Sequence, residues 1–257
     1  SQLGRRTSWA SVMPRGELSE RVINEFRSVG VDVSNILMTE TGRVALYFME
    51  PGEYPMPAKV TYDREHTPFR DFALEDLDWD TMLDTRMVFV TGITAALTAK
   101  SAAAVKYFVK EAAARGVQIA LDVNYRSLLW EPARAREVLE PLARLSTIVF
   151  CSRRDAETVF GLHGTGPEVC AALRRHLEIG TVVSTDQIDG VYLSDADHGE
   201  KEFEVTKVPV LDRPGAGDAF VAGTLHGCLQ GDVMRGIQYG QRTSAYALTH
   251  YGDLTLS

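Results

Sequence analysis

Cysteine is scarce in this chain. Its 257 residues include three, Cys151, Cys170 and Cys228, too few and too scattered for a disulfide framework or a zinc cluster. Lone thiols fit a reducing compartment, so a cytoplasmic location is expected. Long hydrophobic runs are also lacking. No stretch approaches the roughly 18 apolar residues of a membrane-spanning helix, and no signal-peptide pattern opens the chain. No membrane partner is therefore expected. Positive charge is in deficit, with 27 Lys and Arg against 35 Asp and Glu, a net charge of −8. Affinity for a nucleic-acid backbone comes from clustered cations, so no nucleic-acid partner is expected either. Histidine is sparse: His66, His163, His176, His198, His226 and His250 lack partners at metal-ligand spacing and read as structural or surface residues. The rest is ordinary globular composition, 45% hydrophobic and 24% charged, which argues against wholesale disorder. The length is enough to bury a core.

Helix-like and strand-like patterns alternate along the chain. Glu17 to Val29 places Leu18, Val22, Ile23 and Phe26 on one helical face, with Gly30 where a C-cap glycine belongs. Arg43–Phe48 and Ala58–Tyr62 read as two strands joined by the Pro/Gly-rich stretch Pro51–Pro57, hence a hairpin. Strands are expected at Met87–Val90, Gln118–Asp122, Thr147–Phe150 and Thr181–Val183. Helices are expected at Lys100–Arg115, Ala133–Leu145, Asp155–Phe160, Pro167–Leu177 and from Ala219 onward. Gly190–Leu193 and Glu202–Val205 look like a closing β-pair. Continuous apolar strands alternating with helices indicate an α/β fold with a parallel sheet between helical layers. The hairpin interrupts that alternation and reads as a small β-lid. Ligands in such sheets bind at the carboxyl ends of the strands, so residues just after strands draw attention. The chain has no internal repeat and no low-complexity tract.

The sharpest motif is Leu211-Asp212-Arg213-Pro214-Gly215-Ala216-Gly217-Asp218-Ala219-Phe220. Two glycines around one alanine let a ligand approach the backbone closely. The apolar helix that follows turns its free N–H groups toward the loop, which makes an anion site. A carboxylate inside an anion site needs a purpose, and accepting a proton from an attacking hydroxyl is one. A glycine turn with an acidic helix start is the simpler alternative. The loop is not a P-loop, since GxxxxGK[ST] is absent. Arg64 and Arg126 each follow a predicted strand, and together they could clamp one carboxylate bidentately. Two surface cations are the alternative there. Cys151 reads as a small buried hydrophobe rather than a nucleophile, and Arg134, Arg136, Glu137 and Glu140 as a solvated helix face.

These residues carry a resemblance. Gly215-Ala216-Gly217-Asp218, preceded by Asp212 and followed by Ala219-Phe220, resembles the second signature of the ribokinase-like (PfkB-type) carbohydrate kinases. Asp122-Val123-Asn124-Tyr125-Arg126 with Leu129-Trp130, and Tyr62-Asp63-Arg64, resemble segments of the 2-keto-3-deoxygluconate kinases within that family. Ser152-Arg153-Arg154-Asp155 is similar to its N-x-x-E region, with serine for the amide and a carboxylate shorter by one methylene. Arg213-Pro214 stands where Thr-Thr is common.

The resemblance implies a ribokinase-like domain over residues 1–257 with a β-lid inserted near 43–66. It implies ATP-dependent phosphorylation of a sugar acid, 2-keto-3-deoxygluconate to its 6-phosphate being the first expectation. Asp218 would be the base and Gly215, Ala216 and Gly217 the anion hole. Tyr47, Tyr62, Arg64 and Arg126 would face the sugar acid. Ser152, Ser184, Asp186, Gly190, Gly215 and Gly217 would line the nucleotide side. Asp155 and Asp212 would serve metal ions, Mg²⁺ with ATP and, at Asp212, K⁺. A homodimer through the lid is implied as well. The family's first strand and early Gly-Gly motif have no counterpart after Ser1, so a missing N-terminal strand, and hence a fragment, is expected. A kinase for ribose, fructose or a nucleoside, or an inactive sugar- or nucleotide-binding chain, stays open.

Overall fold

The computed structural model describes residues 1–50, 52 and 59–252. Four short strands, β1 (Thr7–Ser8), β2 (Ser11–Pro14), β3 (Val31–Asp32) and β4 (Ile36–Thr39), flank helix α1 (Glu17–Ser28). They pair in parallel, β1 with β3 and β2 with β4, because α1 supplies the crossover that parallel strands require. Ile23 is buried, but Leu18 turns outward and is 61% exposed, so the apolar face of α1 is narrower than its spacing implies. Phe26 instead packs on Trp9, ring centroids 4.3 Å apart.

Strands β5 (Leu46–Glu50) and β6 (Lys59–Asp63) form the expected antiparallel hairpin, with Tyr47 opposite Tyr62. The first strand begins three residues later than its pattern suggests. Arg43 stays outside it and forms an ion pair with Asp63. Apart from Gly52, the connecting stretch lies outside the described residues.

After the short helix α2 (Trp79–Leu83), the elements alternate. They run β7 (Met87–Thr91), α3 (Gly92–Ala96), α4 (Ala99–Ala114), β8 (Gln118–Asp122), α5 (Pro132–Ala143), β9 (Ile148–Ser152), α6 (Arg153–Phe160), α7 (Gly166–Leu177), β10 (Thr181–Asp186), β11 (Gly190–Asp195), β12 (Gly199–Phe203), α8 (Ala216–Cys228) and α9 (Val233–Leu248). One six-stranded sheet results, in the order β12-β11-β10-β9-β8-β7. Strands β7 to β10 are parallel, whereas β11 and β12 run antiparallel. The sheet is therefore mixed rather than wholly parallel. Only Gln187, Ile188 and Asp189 separate β10 from β11, too short a link for a crossover.

Successive residues of the central strands feed opposite cores. Leu121, Val149 and Val182 join Val109, Leu139 and Val169 of α4, α5 and α7. Their neighbours Ala120, Phe150 and Val183 join Phe220 of α8 and Ile237 of α9. The period-2 alternation of side chains thus buries both faces of the sheet, which is why these strands read as unbroken apolar runs.

Helices α8 and α9 touch backbone to backbone. A Cβ on Gly227 would lie 2.2 Å from the Cα of Gly236, and one on Gly236 would lie 2.4 Å from the Thr224 carbonyl oxygen. Backbone cannot yield as a side chain can. Gly227→Ala is expected to cost about 1–3 kcal/mol by overpacking, lowering Tm by about 2–4 °C per kcal/mol. Thermal unfolding followed by circular dichroism checks this; an unchanged Tm would mean the helices separate freely.

Candidate active site

The carboxyl ends of β8, β9 and β10, the hairpin, and the start of α8 open onto one cavity of about 1540 Å³. Its floor begins with the glycine motif. Gly215 caps α8 in the left-handed conformation, φ 75°, ψ −11°, which a side chain would disfavour. Its carbonyl accepts the amide of Ala219 at 2.8 Å. The amides of Gly217 and Asp218 come before any helical acceptor. A Cβ on Gly217 would meet nothing within 4 Å, so the approach to these amides is open. Asp218 stands in the same first turn, exposed to the cavity. Ala216 lines it too.

Two further carboxylates face this place. Asp122 ends β8, and Asp155 lies in the first turn of α6. Ser152 caps α6: its Oγ accepts the amide of Asp155 at 3.0 Å. The Asp155 carboxylate accepts the amide of Tyr125 at 3.2 Å, tying the β8 loop to α6. Burial raises Asp155 above the usual carboxylate range despite these bonds. Asp122 is pushed up to about 7, first by burial and then by the charges of Asp218 and Asp155.

Asp122 therefore binds its proton more tightly in the folded chain than in the unfolded one. Its contribution to stability is fully present below the ordinary carboxylate range and is lost as pH rises through about 7. Asp122→Asn, which keeps the shape and removes the charge, is expected to raise Tm by several degrees at pH 8 and by less at pH 5, where the loss is only partial. Thermal melts at the two pH values check the sign. A stabilisation larger at pH 5 would contradict it.

On the other wall stand Thr185, Asp186 and Gln187. Asp186 is already ion-paired: Arg153 reaches it at 2.5 Å and Glu157 at 2.6 Å, so one guanidinium binds α6 to the end of β10. Ser184 lies outside the lining. Its neighbours Val183 and Thr185 face the cavity, so the strand pleat turns Ser184 to the opposite face, where it is 1% exposed. Gly190 is also outside the lining. A Cβ there would sit 2.6 Å from the Tyr192 hydroxyl oxygen, so this glycine makes room for a buried ring. Asp212 faces neither ligand space: its oxygens accept the amides of Arg213 at 2.9 Å and Gly252 at 3.0 Å. Among the described residues, Ser184 is buried beneath the lining, Gly190 makes room for the Tyr192 ring and Asp212 ties a loop.

The hairpin supplies the third wall. Tyr47, Tyr62 and Arg64 line it, and the Arg64 guanidinium lies over the Tyr62 ring at 4.3 Å. Arg126 faces them from the loop after β8. That loop is braced by Tyr125, whose hydroxyl donates to the Trp130 carbonyl at 3.0 Å, and by the Leu129 amide bonding the Arg126 carbonyl at 2.9 Å. Leu129 and Trp130 thus shape the loop that carries Arg126. Among the described residues, neither Arg64 nor Arg126 has a carboxylate within ion-pair distance.

Sequence reasoning missed several wall residues. Asp122 was visible as the last residue of a strand, the place where ligands bind. Arg213 stood inside the glycine motif, and Arg154 beside Asp155. Gln241, Ser244 and Leu248 of α9 had no such signal, because only folding brings that helix to the cavity.

The comparisons agree with this geometry. The pfkB family carbohydrate kinase model matches residues 1–257. The chain is 32% identical over 259 residues to the 2-dehydro-3-deoxygalactonokinase of Haloferax volcanii, covering all of this chain and 80% of that protein. It is 27% identical to the 2-dehydro-3-deoxygluconokinase of Thermoproteus tenax, over 97% of this chain and 76% of that one. The crystal structure of 2-dehydro-3-deoxygluconokinase from Thermotoga maritima superposes with a TM-score of 0.90 at 26% identity, covering 99% of this chain and 82% of that one. A sheet-end cavity floored by a glycine turn, matched along the whole chain by one family model, leaves a single conclusion: the chain belongs to the pfkB family of carbohydrate kinases.

Proposed function

We propose that this carbohydrate kinase transfers the terminal phosphoryl group of ATP to a hydroxyl of a sugar acid, first among them 2-keto-3-deoxygluconate, giving its 6-phosphate. The main support is the placement of Arg64 and Arg126 in one cavity with Asp218. Two guanidiniums outside any ion pair among the described residues suit a carboxylate brought by the substrate. The names of the Haloferax and Thermotoga relatives support the same substrate class.

Phosphoryl transfer needs positioning and charge neutralisation more than covalent chemistry. Asp218 takes the proton of the attacking hydroxyl, and the Gly215-Ala216-Gly217 loop holds the phosphoryl oxygens. Tyr47 and Tyr62 support the sugar from the hairpin, which acts as a lid. Thr185 and Asp186 border the nucleotide, with Ser152 and Asp155 beside them. No group of three or more metal-ligating side chains occurs among the described residues. Magnesium commonly uses one or two carboxylates plus phosphate oxygens and water, so Asp155 and Asp122 fit its needs. When bound, it would neutralise phosphate charge. Asp212, whose oxygens also accept two loop amides, is the residue that would serve K⁺.

We further propose that residues 1–257 act as one unit in the cytoplasm, as a homodimer through the hairpin. Leu46 and Phe48, two positions apart on one face of β5, are 42% and 59% exposed, an apolar face that a second copy would cover.

Coupled measurement of ADP release over a panel of sugar acids and neutral sugars tests the function. Turnover is expected with 2-keto-3-deoxy sugar acids. Turnover confined to ribose, fructose or a nucleoside would reassign the substrate, and none at all would make the chain a binder.

A further inference from the structure

We propose that Arg213 is a catalytic residue that places its positive charge on the phosphoryl group during transfer. This rests on the phosphoryl-transfer reading above and adds a residue to it. Arg213 lies two positions before the capping Gly215 and lines the cavity.

Its backbone is held on both sides. The Arg213 amide donates to Asp212, whose other oxygen accepts the Gly252 amide. Pro214 and the left-handed Gly215 follow at once. Its side chain, by contrast, is exposed, and no hydrogen bond, ion pair or ring contact holds it among the described residues. A fixed root with an uncommitted guanidinium leaves the cation available to a ligand that enters the cavity.

The other arginines around the cavity have surroundings that differ from those of Arg213. Arg153 just behind the wall is locked between Asp186 and Glu157. Arg154 and Arg126 face Asp155, and Arg126 also acts on Asp122. Arg64 lies over Tyr62. Arg70 is uncommitted too, but it follows the hairpin on the substrate side, where its carbonyl accepts the Thr98 hydroxyl. Arg213 is thus the uncompensated cation on the side of the glycine motif.

Charge spreads over the equatorial oxygens of the phosphoryl group in the transition state. The amides of α8 offer only partial charges. A guanidinium forks onto two phosphate oxygens and keeps its proton throughout. In the step itself, the bond from the phosphorus to the ADP oxygen breaks and the bond to the sugar oxygen forms. The hydroxyl proton passes to Asp218, and Arg213 neither gains nor loses one.

Steady-state kinetics of Arg213→Ala and Arg213→Lys with ATP and the sugar acid test this. They are paired with calorimetric affinities for ADP alone and for ADP with aluminium fluoride, a mimic of the phosphoryl in flight, both with magnesium. Losing a hydrogen bond to a charged group should lower kcat by about 10- to 100-fold, with both KM values within threefold of the parent. Affinity for the aluminium fluoride complex should fall by a similar factor and that for ADP alone should hold, since only transition-state contacts raise kcat. Lysine should recover part of the loss. A kcat within threefold of the parent overturns the proposal. So does equal weakening of ADP with and without aluminium fluoride, which would make Arg213 an ordinary nucleotide contact. If the parent itself turns over no sugar, the function proposed above fails, while the two ADP affinities still decide the role of Arg213.

Discussion

Asp218→Asn is expected to lower kcat by about 10²- to 10⁴-fold, the usual worth of general-base catalysis, with KM for sugar and ATP nearly unchanged. The substitution keeps the size and planarity of the side chain and removes its basicity. Asp218 lies in the first turn of α8 beside open amides that favour a bound anion. Deprotonating the hydroxyl gives a negative charge among phosphate oxygens a use. Removing that charge would also relieve Asp122, which Asp218 helps to raise. The variant should therefore fold as well as the parent. Steady-state kinetics with a melt on the same sample check both parts. Activity within threefold of the parent would remove Asp218 from the base role.

Arg64→Ala and Arg126→Ala are each expected to weaken sugar-acid binding by roughly 10- to 150-fold, from a charged hydrogen bond worth about 1.5 to 3 kcal/mol. ATP affinity should hold, since the proposed nucleotide side is the β10 wall. A neutral sugar should lose little, having no carboxylate to release. The double variant should lose less than the sum, because both arginines grip one group. Arg64 has a complication that its sequence does not show. It rests on the Tyr62 ring at 4.3 Å, so Tyr62→Ala should weaken acid binding as well by freeing the guanidinium. Affinities measured for acid and neutral sugars decide it. Equal losses for both would make these arginines packing residues.

Much of the fold was legible because its signals are local. The four parallel strands of the main sheet each announced themselves as an apolar run, since burial on both faces leaves no polar alternation. Helix α4 was bounded by its pattern and confirmed by the Thr98–Ser101 capping box. The strands β2 and β4 were not foreseen. Each is four residues long and is a strand only because the other lies beside it.

The sequence by itself determined the alternation, the glycine loop and the charged residues that follow strands, because each depends on neighbours a few positions away. Only the tertiary structure decided which way those residues face. The pleat of β10 turns Ser184 away and Thr185 inward. The bulk of Tyr192 gives Gly190 a packing task. The approach of β8, β9 and α8 sets three carboxylates close enough to move the proton affinity of Asp122. Burial and Coulomb interaction depend on distances in space, and residues 122, 155 and 218 are neighbours only after the chain has folded.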